Sequence, residues 1–213
     1  PQHQGGMTCI FKHFGLRHPP LGKELTDLWD DGALALLAER FTWLLQSPGL
    51  GLITGEPGVG KTAALRHLTR ALNPHRYQVL YQAHTDFGRV DIYRGLARAL
   101  GVEPSYRRAH LWRDIKLRIH ELVDNKQVLP IWIIDEAQNL TPHEIKTVIS
   151  RAGKGTKVIL TGDPTQIDNP YLDADSNGLS YTVGKFKNHR IFGHMLLERT
   201  ERSELASVAA EIL

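Results

Sequence analysis

LGLITGEPGVGKTAAL, Leu50 to Leu65, runs from a short apolar stretch through a glycine-rich turn into a helix-forming segment. The pattern G-x-x-x-x-G-K-[ST] falls on Gly55 to Thr62, between an expected strand at Leu50 to Thr54 and an expected helix at Lys61 to Leu72. Glycines at 55, 58 and 60 permit backbone angles and close approaches denied to other residues, so successive N–H groups can point into one concavity that suits an anion. The helix that opens there adds the positive end of its dipole and N–H groups without intrahelical partners. Gly55, Glu56, Pro57, Gly58, Val59, Gly60, Lys61, Thr62 and Ala63 are therefore a candidate phosphate-binding P-loop. Lys61 supplies a movable charge for the β and γ phosphates of ATP, and the Thr62 hydroxyl is a candidate ligand for Mg2+. An ordinary glycine-rich turn between strand and helix would need neither the lysine nor the hydroxyl.

A nucleotide site built this way calls for acids at the end of a neighbouring strand. VLPIWII, Val128 to Ile134, is nearly continuous in apolar residues, as a strand covered on both faces of a parallel sheet should be. It ends on Asp135 and Glu136. Asp135 is the candidate second Mg2+ ligand, acting mostly through the ion's water shell, and Glu136 is placed to orient or deprotonate an attacking water. Two acids that merely cap the next helix are the competing explanation.

The remaining segments alternate in the same way. An apolar stripe at Ala33, Leu34, Leu37, Ala38, Phe41 and Leu44 or Leu45 predicts a helix to about Gln46, capped by Asp30 or Asp31. Gln78 to Ala83 reads as a strand, Asp86 to Leu100 as a helix ended by Gly101, and Tyr106 to Val123 as a second helix. The cations of that second helix, Arg107, Arg108, Arg113, Lys116 and Arg118, fit either a solvated face or a contact with nucleic acid or another subunit. Thr141, Pro142 and Glu144 have the spacing of a capping box on a helix to Arg151. Lys157 to Thr161 is a fourth strand, followed by Gly162-Asp163-Pro164-Thr165-Gln166, in which Gln166 is either a polar sensor of the γ-phosphate or part of a plain turn. A short helix to about Lys185, a fifth strand at Ile191 to Leu196 and a last helix at Glu201 to Ile212 complete the chain. Phe11 to Leu21 should be an irregular arm.

Five strands alternating with helices predict an α/β fold: one doubly wound, mainly parallel five-stranded sheet with no separate lid domain. Ligands bind at the carboxyl ends of such strands, which puts Gly55, Asp135 and Gly162 on one edge. The expected organisation is a flexible extension at 1–13 and a single domain at 14–213, with Pro1 to Gly6, ahead of Met7, left out of the fold.

At 213 residues the chain has room for one substantial domain. It holds 41% hydrophobic and 23% charged residues, as soluble globular proteins do. No apolar run is long enough for a transmembrane helix, and the start lacks the pattern of a signal peptide, so a cytoplasmic location is expected. One cysteine, Cys9, excludes an internal disulfide and a cysteine-cluster metal site. A net charge of +3 with a pI near 9.1 leaves nucleic acid open as a partner. The 11 histidines, among them His84, His143 and His194, lack metal-ligand spacing.

Two family resemblances follow from longer stretches. FGLRHPPLGKE (Phe14 to Glu24), LITGEPGVGKTAALRHL (Leu52 to Leu68) and PIWIIDEAQNL (Pro130 to Leu140) resemble the ExeA-like AAA ATPases of secretion and transposition, over residues 14–140. IIDEAQNLTPHEIKTVISRAGKGTKVILTGDPTQIDNPYLD (Ile133 to Asp173), SNGLSYTVGKF (Ser176 to Phe186) and ERSELASVAAEIL (Glu201 to Leu213) resemble the C-terminal half of PhoH-like proteins, over residues 135–213. The two meet at DEAQNL, so the chain looks like a P-loop NTPase fusion joined at a shared Walker B segment.

The resemblance implies that the Lys157 to Thr161 strand lies between the P-loop and Walker B strands, bringing Gln166 beside the phosphates. It also implies a γ-phosphate contact from Arg202 if the PhoH-like pattern governs, or from Lys187 or Arg190 on a neighbouring subunit if the AAA pattern does. Phe14, Leu16 and Pro19 then line the adenine site or serve as core contacts. The activity implied is Mg-dependent ATP hydrolysis coupled to action on a macromolecule. The alternatives are a PhoH-like RNA helicase or RNA-processing accessory, an ExeA-like DNA-transposition or secretion ATPase, and a chimera without turnover; the candidate partners are ATP, RNA or DNA, and further copies of the chain in a homo-oligomer.

Overall fold

The computed structural model describes residues 32–46, 49–83, 89–153, 155–167, 172–173 and 176–198. Cys9, the N-terminal arm with Phe14, Leu16 and Pro19, the Asp30 and Asp31 caps, His84, and the last helix with Arg202 lie outside the described residues.

Helix α1 (Ala33–Gln46) leads to strand β1 (Leu50–Gly55), helix α2 (Lys61–Arg70) and strand β2 (Tyr77–Gln82). Helices α3 (Arg89–Ala99) and α4 (Arg108–His120) follow; α4 winds into a π turn at Glu121–Asn125 before strand β3 (Leu129–Ile134). A 3-10 turn at Ala137–Asn139 precedes helix α5 (Pro142–Arg151), strand β4 (Lys157–Gly162), helix α6 (Gly178–Phe186) and strand β5 (Phe192–Leu197). Each strand lies within one residue of its expected bounds. The helix expected over Tyr106 to Val123 is shorter, because the Lys126 N–H reaches Glu121 O at 3.1 Å, a five-residue step that widens the last turn.

The strands form one five-stranded sheet in the order β2-β3-β4-β1-β5, and every pair is parallel. Strand β4 sits between β1 and β3, in register Leu50↔Val158 and Trp132↔Val158, the place expected for it. The apolar run of β3 shows why both faces must be covered. Ile131 and Ile133 point into the cluster built on Leu37, Phe41 and Leu44 of α1 and Leu65 of α2. Trp132 and Ile134 point the other way, onto Leu96 of α3, Leu111 and Ile115 of α4, Ile145 of α5 and Leu179 of α6. Period-two alternation thus feeds two cores, and the sheet is doubly wound. Because all strands run the same way, Gly55, Ile134, Gly162 and Leu197 end on one rim.

Candidate functional site

Strand β1 is buried from end to end, and its last residue, Gly55, faces the end of β5. A Cβ at position 55 would stand 2.3 Å from the Leu197 carbonyl oxygen, so only glycine permits that approach. Gly60 then turns the chain into α2 with φ 89° and ψ 13°, a left-handed conformation that glycine adopts without strain. Having no side chain, Gly60 offers no cap to the first N–H groups of α2, and those groups face the turn. Glu56, Pro57 and Gly58 are exposed on the outside of the loop, while Val59, Thr62 and Ala63 are half-buried.

The Lys61 ammonium donates to Gly55 O at 2.6 Å and to Glu56 O at 2.9 Å. Burial lowers its pKa, and the negative charges of Asp163, Asp135 and Glu136 push it back up. These opposed effects place one cation within electrostatic reach of three acids.

Asp135 is the centre of that group. Its carboxylate is 7% exposed and accepts from the Thr62 hydroxyl at 2.8 Å, from the hydroxyls of Tyr81 and Thr161, and from the Glu136 N–H at 3.2 Å. Burial raises its pKa, but the bonds from Thr161, Tyr81, Thr62 and the Glu136 amide outweigh it and hold the carboxyl below its ordinary value. Tyr81 moves the opposite way: burial, then the bond to Asp135, push its phenol up to about 12, so it stays a donor.

Glu136 is exposed and takes φ 56° and ψ 33°, a left-handed backbone that is uncommon outside glycine. Its Oε2 accepts from the Gln138 amide at 2.7 Å. Asp163, buried just past β4, accepts from the Thr165 N–H and hydroxyl at 2.8 and 2.7 Å. Gln166 is exposed in the turn that follows, its N–H donating to Asp163 O at 3.2 Å.

The fold therefore brings Lys61, Thr62, Asp135 and Glu136 together and adds residues that sequence reasoning missed: Tyr81, Thr161, Gln138 and Asp163. Tyr81, Thr161 and Asp163 share one faint signal, a polar group at or just past the end of an apolar strand. Lys187 and Arg190 are exposed ahead of β5, and β5 begins on the rim opposite the P-loop, so within one chain they lie away from Lys61.

The Thr62 hydroxyl and the Asp135 carboxylate are hard oxygen donors 2.8 Å apart, a pair suited to an ion that keeps most of its waters. Among the described residues no group of three His, Cys, Asp or Glu side chains is arranged to hold a metal. A cavity of about 640 Å³ lies elsewhere, between α4 and the C-terminal end of α5, lined by Trp112, Lys116, Ile119 and Arg151. Among the described residues no helix is long and apolar enough to cross a membrane.

Comparison with known proteins divides along the chain. The family described as AAA domain matches residues 44–169, and the family described as PhoH-like protein matches residues 129–212. Protein PhoH2 of Bacillus subtilis is 57% identical over 81 residues, which cover 38% of this chain and 18% of PhoH2. Protein PhoH2 of Mycolicibacterium smegmatis is 41% identical over the same shares. The chain thus spans about a fifth of the length of these relatives. Among solved structures, the ORC2 protein of Aeropyrum pernix in its ADP form aligns with a TM-score of 0.58 at 17% identity, over 88% of this chain and 53% of that one. The Pif1 helicase of Candida albicans aligns with a TM-score of 0.51 at 16% identity, over 87% of this chain and 43% of that one. At those identities the likeness is one of fold.

Proposed function

Because the chain belongs to the AAA-domain family, we propose that it binds ATP in the cradle Gly55 to Ala63 and hydrolyses the bond to the γ-phosphate with Mg2+. The observation that carries this reading is the 2.8 Å contact from Thr62 to Asp135, which ties the start of α2 to the end of β3 beside Lys61. Thr62 and Asp135 would hold Mg2+, which when bound neutralises phosphate charge and orients the phosphate chain. Lys61 binds the β and γ phosphates in exchange for the carbonyls of Gly55 and Glu56. Glu136 accepts a proton from the water that attacks the γ-phosphorus, the bond to the bridging oxygen breaks, and ADP leaves with that electron pair. Gln166 senses the γ-phosphate and Arg202 contacts it in this scheme, on the strength of the PhoH-like match.

Glu136→Gln should keep ATP affinity and lose turnover by at least about a hundredfold, the contribution expected of a positioned base. Steady-state ATPase rates beside a binding titration decide it, and unchanged hydrolysis removes Glu136 from the role. Mg-ATP at 100 times its dissociation constant should add about 2.7 kcal/mol of apparent stability, seen as a thermal shift.

The macromolecule acted on is read as nucleic acid. Two features favour this: the PhoH-like match over residues 129–212, and the exposed face of α4, where Arg108 and Lys116 make no ion pair among the described residues and Tyr106, just ahead of the helix, is 90% exposed. Stimulation of the ATPase by single-stranded RNA supports a PhoH-like role, stimulation by duplex DNA an ExeA-like one. Residues 14–213 act as one domain in this reading. Rates of Arg202→Ala and Arg190→Ala, each measured against protein concentration, separate a contact within the chain from one across a homo-oligomer.

A further inference from the structure

Gln138 is 1% exposed, a polar side chain buried in the 3-10 turn just past the end of β3. Its side chain spans two elements that the backbone does not connect. The amide nitrogen donates to Glu136 Oε2 at 2.7 Å, and the amide oxygen accepts from the Asp163 N–H at 3.3 Å. Chemistry fixes this orientation. A carboxylate only accepts and a backbone N–H only donates, so the bridge needs one side chain that presents a donor at one end and an acceptor at the other. An amide does that, and glutamine has the length to reach both.

The sequence makes room for it at Gly162. A Cβ there would stand 2.0 Å from Gln138 Oε1, and 2.8 Å from a terminal carbon of Leu179. Any larger residue at 162 drives the amide off its seat. The end of β4 is thus shaped around the Gln138 side chain as much as around its own strand neighbours.

We propose that Gln138 is the positioning residue for Glu136: it aims the carboxylate and couples that aim to the loop Gly162 to Gln166. Glu136 benefits from such a device, because its side chain is exposed and a base must be held in a productive orientation. A displacement of the Asp163 amide pulls on the same side chain that holds Glu136 Oε2, so a change at the sensor loop alters the orientation of the base. The proposal rests on Glu136 being the base.

The test uses the full chain and two variants that leave Glu136 in place. Gln138→Met keeps length and volume and removes both hydrogen bonds; Gly162→Ala displaces the amide from the other side. Each should lower kcat about tenfold or more, part of the roughly 10²–10⁴-fold that a positioned base supplies. The dissociation constant for a fluorescent ATP analogue should stay within about twofold, because the loss is confined to the transition state. In a Glu136→Gln background, Gln138→Met should lower the residual single-turnover rate no further, since no base is left to aim. A merely structural glutamine would lower that residual rate as well, or weaken nucleotide affinity in step with kcat, and either result overturns the proposal. Wild-type kcat in Gln138→Met overturns it too. If Gln138→Met fails to fold, as shown by the absence of a cooperative unfolding transition in far-ultraviolet dichroism, Gly162→Ala decides alone: a fall in kcat at constant affinity supports the bridge and an unchanged kcat refutes it. The underlying reading fails separately, through a Glu136→Gln chain that still turns over.

Discussion

At Asp135 burial and hydrogen bonding act in opposite directions, and the bonds win. A carboxyl whose folded pKa is depressed adds stability that is fully present above its unfolded value of 3.8 and is lost as pH falls through the folded one. The stability difference between wild type and Asp135→Asn, from urea melts at a series of pH values, should therefore shrink on acidification below about pH 4. Thr161→Val and Tyr81→Phe each remove one donor to that charge. Each should cost about 1.5–3 kcal/mol at neutral pH and move the acid loss upward, because the carboxylate then protonates more easily. The grouping of Lys61, Thr62, Asp135 and Glu136 was legible in the sequence because their positions are fixed by spacing within one loop or one strand end. Tyr81 and Thr161 were not, since a hydroxyl at a strand end is ordinary until the sheet order shows that β2 and β4 flank β3.

Helix α5 is the element whose ends local chemistry specifies most fully. The Thr141 hydroxyl accepts from the Glu144 N–H at 3.2 Å, the Glu144 carboxylate accepts from the Thr141 N–H at 2.9 Å, and Pro142 opens the first turn. Thr141→Ala should cost about 1 kcal/mol in chemical denaturation, with the ATP affinity unchanged because the Thr141 hydroxyl bonds to Glu144 within its own cap. That terminus was readable, since a capping box lies within four consecutive residues. The end of α4 was not. Leu111, Ile115 and Ile119 carry the apolar period, but the π turn that follows closes from Lys126 to Glu121 and is backed by Val128, whose N–H reaches Leu122 O at 2.8 Å as the chain enters β3. A contact made by the next element leaves no trace in the periodicity of the last one.

Over the whole molecule, the two family matches overlap at residues 129–169, which contain β3 and β4 at the middle of the sheet. Strand β1 belongs to one match alone and β5 to the other, yet they pair along their full length from Leu50↔Phe192 to Gly55↔Leu197. One core gathers Ile53 and Leu65 with Ile159, Met195 and Leu197. Ile159→Ala should cost about 2–5 kcal/mol, and unfolding should remain one transition by far-ultraviolet dichroism and tryptophan fluorescence alike. Separate transitions would mean two halves that fold independently. The overall architecture was legible because apolar runs and helical stripes alternate along the chain. Sheet order was reached only through the family resemblance, as no local feature states which strands are neighbours. A sheet whose strands all point one way also has two unlike margins. The candidate site crowds one of them, and the opposite margin carries plain connections such as Lys126 to Val128. An epitope tag or fluorescent reporter grafted there would report on the molecule from behind, leaving its working side untouched.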